Sequence, residues 1–187
     1  MGNYTKVSQS FFDELQLDAG VLLKSFNPST PAAITDNDFV CSTTGGINIT
    51  AVPSYSDLGE DIDNVPNRTK ELMHLDYWEC RMGFTALSIT EYMLKLSLGV
   101  ADVTTASHKV TPRASLEQTD FTNELWWVGD MADGGYAAVC LKNVLSTGGL
   151  SLQTTKNSKG QLTCELTGHT SISAQDTVPI DFYVISA

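Results

Sequence analysis

The stretch from Leu125 to Ala187 decides the fold: LWWVGDMADGGYAAVCLKNVLSTGGLSLQTTKNSKGQLTCELTGHTSISAQDTVPIDFYVISA. Short apolar or alternating runs fill it, at Trp126–Val128, Tyr136–Val139, Leu150–Leu152, Leu162–Leu166 and Ile180–Ile185. Turn residues separate them: Asp133-Gly134-Gly135, Gly148-Gly149 and Asn157-Ser158-Lys159-Gly160. Such alternation of β-prone runs and turns is the pattern of antiparallel strands. The stretch carries no nucleophile motif, phosphate loop or metal-ligand spacing, so its work falls to shape, sheet edges and charge.

Upstream the same reading continues. Leu15–Lys24 is a strand with a bend or bulge at Asp18 and Gly20. Phe26–Asp38, with Asn27-Pro28 and Thr30-Pro31, is a loop. Phe39–Val52 reads as two strands hinged at Thr43-Thr44-Gly45-Gly46, and Ile47, Ile49 and Ala51 alternate toward one face. Apolar content then collapses from Pro53 to Lys70, where Asp57, Glu60, Asp61 and Asp63 precede Asn67, Arg68 and Lys70. A structureless loop of that length inside a compact domain is usually functional or disordered. Leu72–Thr85 is a strand. Ser88-Ile89-Thr90-Glu91 fits a capping box, with Thr90 a competing cap, and opens a helix over about residues 89–98 that Gly99 ends. A short strand at Lys109–Pro112 lies in the polar connection Ala101–Glu117. Residues 1–14, polar apart from Phe11-Phe12, read as an N-terminal arm.

The 187 residues suit one domain, and 42% hydrophobic residues leave room for polar loops. The net charge is −11, from 22 acidic and 11 basic side chains. An acidic chain repels nucleic acid, because phosphate binding needs Lys and Arg to displace counterions. Cys41, Cys80, Cys140 and Cys164 are widely spread and form no C-x-x-C pair, so they read as small buried hydrophobes and not as a zinc site. The opening is polar, without a signal-peptide apolar segment, and synthesis in a reducing cytoplasm with free thiols is expected. No run reaches transmembrane length.

The acidic group at 57–63 lacks the register and terminal glutamate of a calcium loop. His74, His108 and His169 are scattered. Trp126 and Trp127 face opposite sides of a strand and form no common stacking platform; one belongs to the core, the other to an interface or the outer sheet face. No catalytic residue, metal or cofactor is expected.

Taken together, these residues resemble the major tail protein, or tail tube protein, of long-tailed phages with non-contractile tails that infect Gram-positive bacteria. The similarity spans most of the chain. It rests on Asp18-Ala19-Gly20-Val21-Leu22 with Phe26-Asn27-Pro28, and on Thr44-Gly45-Gly46-Ile47 leading to Asp61, Asp63 and Val65-Pro66-Asn67-Arg68-Thr69-Lys70. It continues in the strand–helix unit ending at Leu98-Gly99 and in Trp126-Trp127-Val128-Gly129-Asp130, Lys142-Asn143, Gly148-Gly149-Leu150, Gly168-His169 and Val178-Pro179-Ile180. The resemblance implies a mainly β fold, a two-sheet sandwich or barrel with one flanking helix and a long extended loop, in a single domain over residues 1–187. It implies a non-enzymatic virion protein, assembled in the host cytoplasm into stacked hexameric rings that form a conduit for DNA ejection. Its partners would be further copies of itself, the tape measure, tail terminator and distal tail proteins, and passing double-stranded DNA that is not specifically bound. The loop at 53–70, with Asp57, Glu60, Asp61, Asp63, Asn67, Arg68 and Lys70, would lie between subunits. The competing readings are a β-sandwich binding or decoration module of a virion and a tube protein of a related injection system.

Overall fold

The computed structural model describes residues 8, 10–31 and 33–187 of the chain. It is mainly β. Among the described residues ten strands, β1 (Val21–Leu23), β2 (Thr43–Asp57), β3 (Met73–Ala86), β4 (Ala101–Thr104), β5 (Lys109–Pro112), β6 (Thr122–Asp130), β7 (Tyr136–Ser146), β8 (Ser151–Gln153), β9 (Gln161–Gly168) and β10 (Ile180–Ile185), accompany helices α1 (Ser10–Asp13) and α2 (Glu91–Leu98).

The strands pair into two antiparallel sheets of unequal size. Eight of them join one antiparallel sheet in the order β1-β6-β7-β9-β3-β2, with β10 paired to β7 and β8 to β9; β4 and β5 form a separate ribbon. Continuity runs through β7, which pairs with β10 along Tyr136–Leu141 and with β9 along Val144–Ser146. Asn143 sits at this change of partner with φ +47. Its side-chain amide donates to the His169 carbonyl at 2.9 Å, and the His169 ring lies 3.2 Å from the Asn143 carbonyl. His169 is therefore a clamp where the sheet divides.

Alternation gives the sheet its core. Cys80, Met82, Phe84 and Ala86 of β3 meet Leu162, Cys164 and Leu166 of β9 and Leu125, Leu141 and Val144 of β6 and β7. Met93 and Leu96 of α2 cover this cluster. Each large side chain so buried contributes about 1.5–3 kcal/mol relative to exposure. The opposite face of β6 and β7 buries Trp126, Val128, Ala138 and Cys140, with Phe26 from the loop and Tyr183 from β10 packed on them. Trp127 packs against the first cluster and its indole N–H donates to the Ala19 carbonyl at 2.9 Å. Trp126 is thus the core tryptophan, whereas Trp127 is half-buried.

Local outcomes follow from local chemistry. β1 is shorter than the expected strand from Leu15, because Asp18 (φ +57) and Gly20 (φ +68) turn the chain. A Cβ on Gly20 would stand 2.5 Å from the Trp127 indole nitrogen and the Val128 carbonyl, so only glycine lets the backbone approach there. Thr43-Thr44-Gly45-Gly46 is no hinge between two strands. It is a register shift inside the single strand β2, while Phe39 contributes only an isolated bridge to Leu23. Thr90 caps α2, accepting from the Met93 N–H at 3.2 Å, whereas the Ser88 hydroxyl accepts from the Ser42 N–H. Ile89, where the helix was expected to start, precedes it and is exposed. Of the expected arm, residues 1–7 and 9 lie outside the described residues; Ser10–Asp13 forms one helical turn with Phe11 and Phe12 exposed. Arg113 fixes the ribbon to the strand that follows, its guanidinium ion-paired with Asp102, Glu117 and the buried Asp120.

Among the described residues no helix is long and apolar enough to cross a membrane.

Candidate functional site

The sheet forks. β3 pairs with β9 only from Arg81 to Ala86, whereas its pairing with β2 runs on from Cys80 to Met73. Beyond Ala51 and Cys80 the β2–β3 hairpin is therefore a two-stranded limb. A two-stranded ribbon alone in water is marginal and needs a packing partner. On this limb the apolar side chains lie open: Val52, Met73 and Leu75 are exposed, Tyr55 is 58% exposed and Tyr77 63%.

Register explains which faces they occupy. The row Ile47, Ile49, Ala51 and Pro53 pairs with Phe84, Met82, Cys80 and Trp78 on the core side. A bulge between Ser54 and Tyr55 inserts Asp76 into β3, so Tyr55 and Leu75 become direct partners. Tyr55 and Leu75 thus continue the core-facing row past the end of the core, where both are exposed. The other limb of the fork is β10, whose Phe182 and Val184 are 60% and 70% exposed. The segment 170–179 lies between the limbs, its Val178 and Pro179 lining a cleft with Leu75, Tyr77 and Trp78.

Both limbs also end in open edges. Among the described residues β2 has β3 as its only strand partner, and β10 has only β7. An open edge of 15 residues presents a row of unpaired backbone N–H and C=O groups. The edge of β1, by contrast, is covered: the Val40 N–H donates to Leu22 O and the Lys24 N–H to Asp38 O.

The segment 53–70 is only partly the long loop that was expected. Pro53–Asp57 is strand, because Ser54 and Ser56 extend the ladder without adding hydrophobicity. The remaining residues form a compact tip. Asp57 organises it: one carboxylate oxygen accepts from the Gly59 N–H at 2.9 Å and the other from the Arg68 N–H at 2.6 Å. Those backbone donors hold the Asp57 carboxyl below its ordinary range, Arg68 being the larger cause. The contribution to tip order is present above the ordinary carboxylate pKa and is lost as pH falls through the depressed one. Asn64 and Arg68 take positive φ at the two turns, and the Thr69 hydroxyl donates to Pro66 O at 2.6 Å.

The expected site residues therefore divide. Asp57 is a structural staple, whereas Glu60, Asp61, Asp63, Asn67, Arg68 and Lys70 are exposed on the tip. Sequence reading missed Tyr55, Leu75, Tyr77, Phe182 and Val184 as surface residues. The signal was present in Ile180–Ile185, which is apolar at all but one position, yet only the sheet topology shows that one of its faces is uncovered.

The outer face of β2, β3 and β9 carries Asn48, Thr50, Gly83, Thr85 and Thr163 around Arg81. That guanidinium is ion-paired to Glu79 and to Glu165, so its charge is more than offset. The cysteines are free; burial pushes Cys41 and Cys140 up to about 12 and Cys164 to about 11, leaving these thiols un-ionised at neutral pH. No family model matches this sequence, and no curated protein matches it either.

Proposed function

We propose that this chain is a structural subunit that joins copies of itself, in the manner of a phage tail tube protein: rings of six stacked into a hollow conduit for DNA. The observation that carries the reading is the two-stranded β2–β3 limb, with its open edge and exposed Tyr55, Leu75 and Tyr77. A limb of this kind is costly in a solitary protein, where it invites uncontrolled edge pairing. In a closed ring it meets the neighbouring copy, and each copy supplies what the next one lacks. The resemblance of Thr44-Gly45-Gly46-Ile47 and Trp126–Asp130 to the tail tube family supports the same reading.

The charge supports it too. With 22 acidic against 11 basic side chains, and Arg81 bracketed by two glutamates on the outer sheet face, the subunit suits a wall past which DNA slides without adsorbing. In this reading the protein performs no chemistry and holds no cofactor, and it belongs to the tail of a virion assembled in the host cytoplasm.

Negative-stain microscopy of the purified protein tests this. Six-fold annuli or hollow tubes are expected, forming more readily as concentration rises. Monodisperse monomers at every concentration and ionic strength would contradict it and favour a binding or decoration module.

A further inference from the structure

The β2–β3 hairpin ends in two unlike poles. At its tip Leu58 and Ile62 are exposed beside Glu60, Asp61 and Asp63, acids for which the described residues supply no ion-pair partner. The acids outnumber the tip's Arg68 and Lys70. At the root stands the turn between β8 and β9, placed there because Leu162 of β9 pairs with Ala86, the last residue of β3. This turn carries Lys156 and Lys159, both exposed and, among the described residues, without an ion-pair partner. Lys159 lines a groove with Thr44 and Leu87 at the hairpin's base. Exposed Ile89 and Leu152 lie beside it: Ile89 sits against Gly160, and Leu152 pairs with Leu162. The 14 residues of β3 separate the poles by about 45 Å at ~3.3 Å per residue.

Resting on the self-assembly reading above, we infer that the poles are the two halves of one axial contact. The acidic tip of each copy, with Leu58 and Ile62, docks on the basic root of the next copy, against Ile89 and Leu152. The occupant is a second copy of this chain because the charges are complementary end to end. A two-fold contact at either pole would set like charges against each other. A head-to-tail contact between opposite poles of the hairpin is heterologous, and where its rotation does not close it makes an open filament. It therefore accounts for stacking along an axis, separately from the sheet edges that join neighbours around a ring.

The test uses three variants of the full chain: Lys156→Glu with Lys159→Glu; Glu60→Lys with Asp61→Lys and Asp63→Lys; and all five together. Sedimentation and microscopy at low ionic strength measure polymer mass, and thermal melting checks the monomer. Each one-ended variant is expected to lose at least about tenfold in polymer, the effect of weakening a contact by ~1.4 kcal/mol. The five-fold variant, its charges again complementary, is expected to recover the loss. One-ended variants that polymerise like the parent, or a five-fold variant with parental melting that stays unassembled, would overturn the contact. Carbodiimide cross-linking of the unaltered polymer gives a second measure: a Lys156 or Lys159 link to Glu60, Asp61 or Asp63 of another copy is expected, and links from these lysines only to other acids would overturn it. A parent chain that never leaves the monomer state would sink the assembly reading as well, whereas parent polymers indifferent to every reversal would sink the axial contact alone.

Discussion

Replacing Leu58–Leu72 by a two-residue Asn-Gly turn is expected to abolish polymerisation and leave a folded monomer. The excised residues contribute nothing to the main core, whose β3 members begin at Cys80. The ladder up to the Asp57–Met73 pair remains intact, and an Asn-Gly turn matches the twist of the flanking strands. Closing a shorter loop also costs less entropy. The monomer should therefore keep its melting behaviour. Assembly should fall by about two orders of magnitude or more, equivalent to about 3 kcal/mol for each lost contact. Sedimentation velocity with circular dichroism reads both quantities. An intact tube from the shortened chain would remove the tip from the account, and an unfolded monomer would show that the tip is part of the fold.

The second large effect is expected at the edge. Val52→Lys and Tyr55→Lys, combined, place two ammonium groups on opposite faces of the open strand β2. Lysine on an edge strand opposes pairing with another chain, because docking would have to desolvate the charge. Both positions are exposed in the monomer, so its stability should change by no more than about 0.5 kcal/mol per substitution. Polymer mass should fall at least about tenfold, the equivalent of ~1.4 kcal/mol. Unchanged assembly would mean that copies meet elsewhere. A large fall in melting temperature would mean that Val52 and Tyr55 are packed within their own chain.

Where the chain's local chemistry is self-contained, the fold was legible in the sequence. The helix ending at Gly99 needed only a capping threonine, an apolar stripe at Met93 and Leu96, and a residue that accepts positive φ. The strands of the last third needed only apolar runs between glycine-rich turns. Misreadings arose where two structures share one local signal. Gly45-Gly46 fits a turn and a bulge equally well, and only pairing with β3 selects the bulge. Pro53–Asp57 lacks apolar density because neither face of the limb is fully buried in its own chain, so it read as loop. The candidate site was half legible for the same reason. Charge on the tip shows in a sequence, whereas the exposure of Tyr55, Leu75 and Phe182 depends on which strands pair and on where the sheet forks. Asp57 illustrates the converse: it resembles its acidic neighbours in composition, but the N–H groups of Gly59 and Arg68 make it a turn residue.

In the proposed assembly, copies join through the limb and the open strand edges. Amide hydrogen exchange, compared between the dissociated and the assembled protein, tests it most directly. Strong new protection is expected at residues 52–57, 73–79 and 181–185 on assembly, with little change in the strands Leu125–Val128 and Leu162–Leu166, which are already internal. Protection of the limb and of β10 that does not rise between the two states would contradict it.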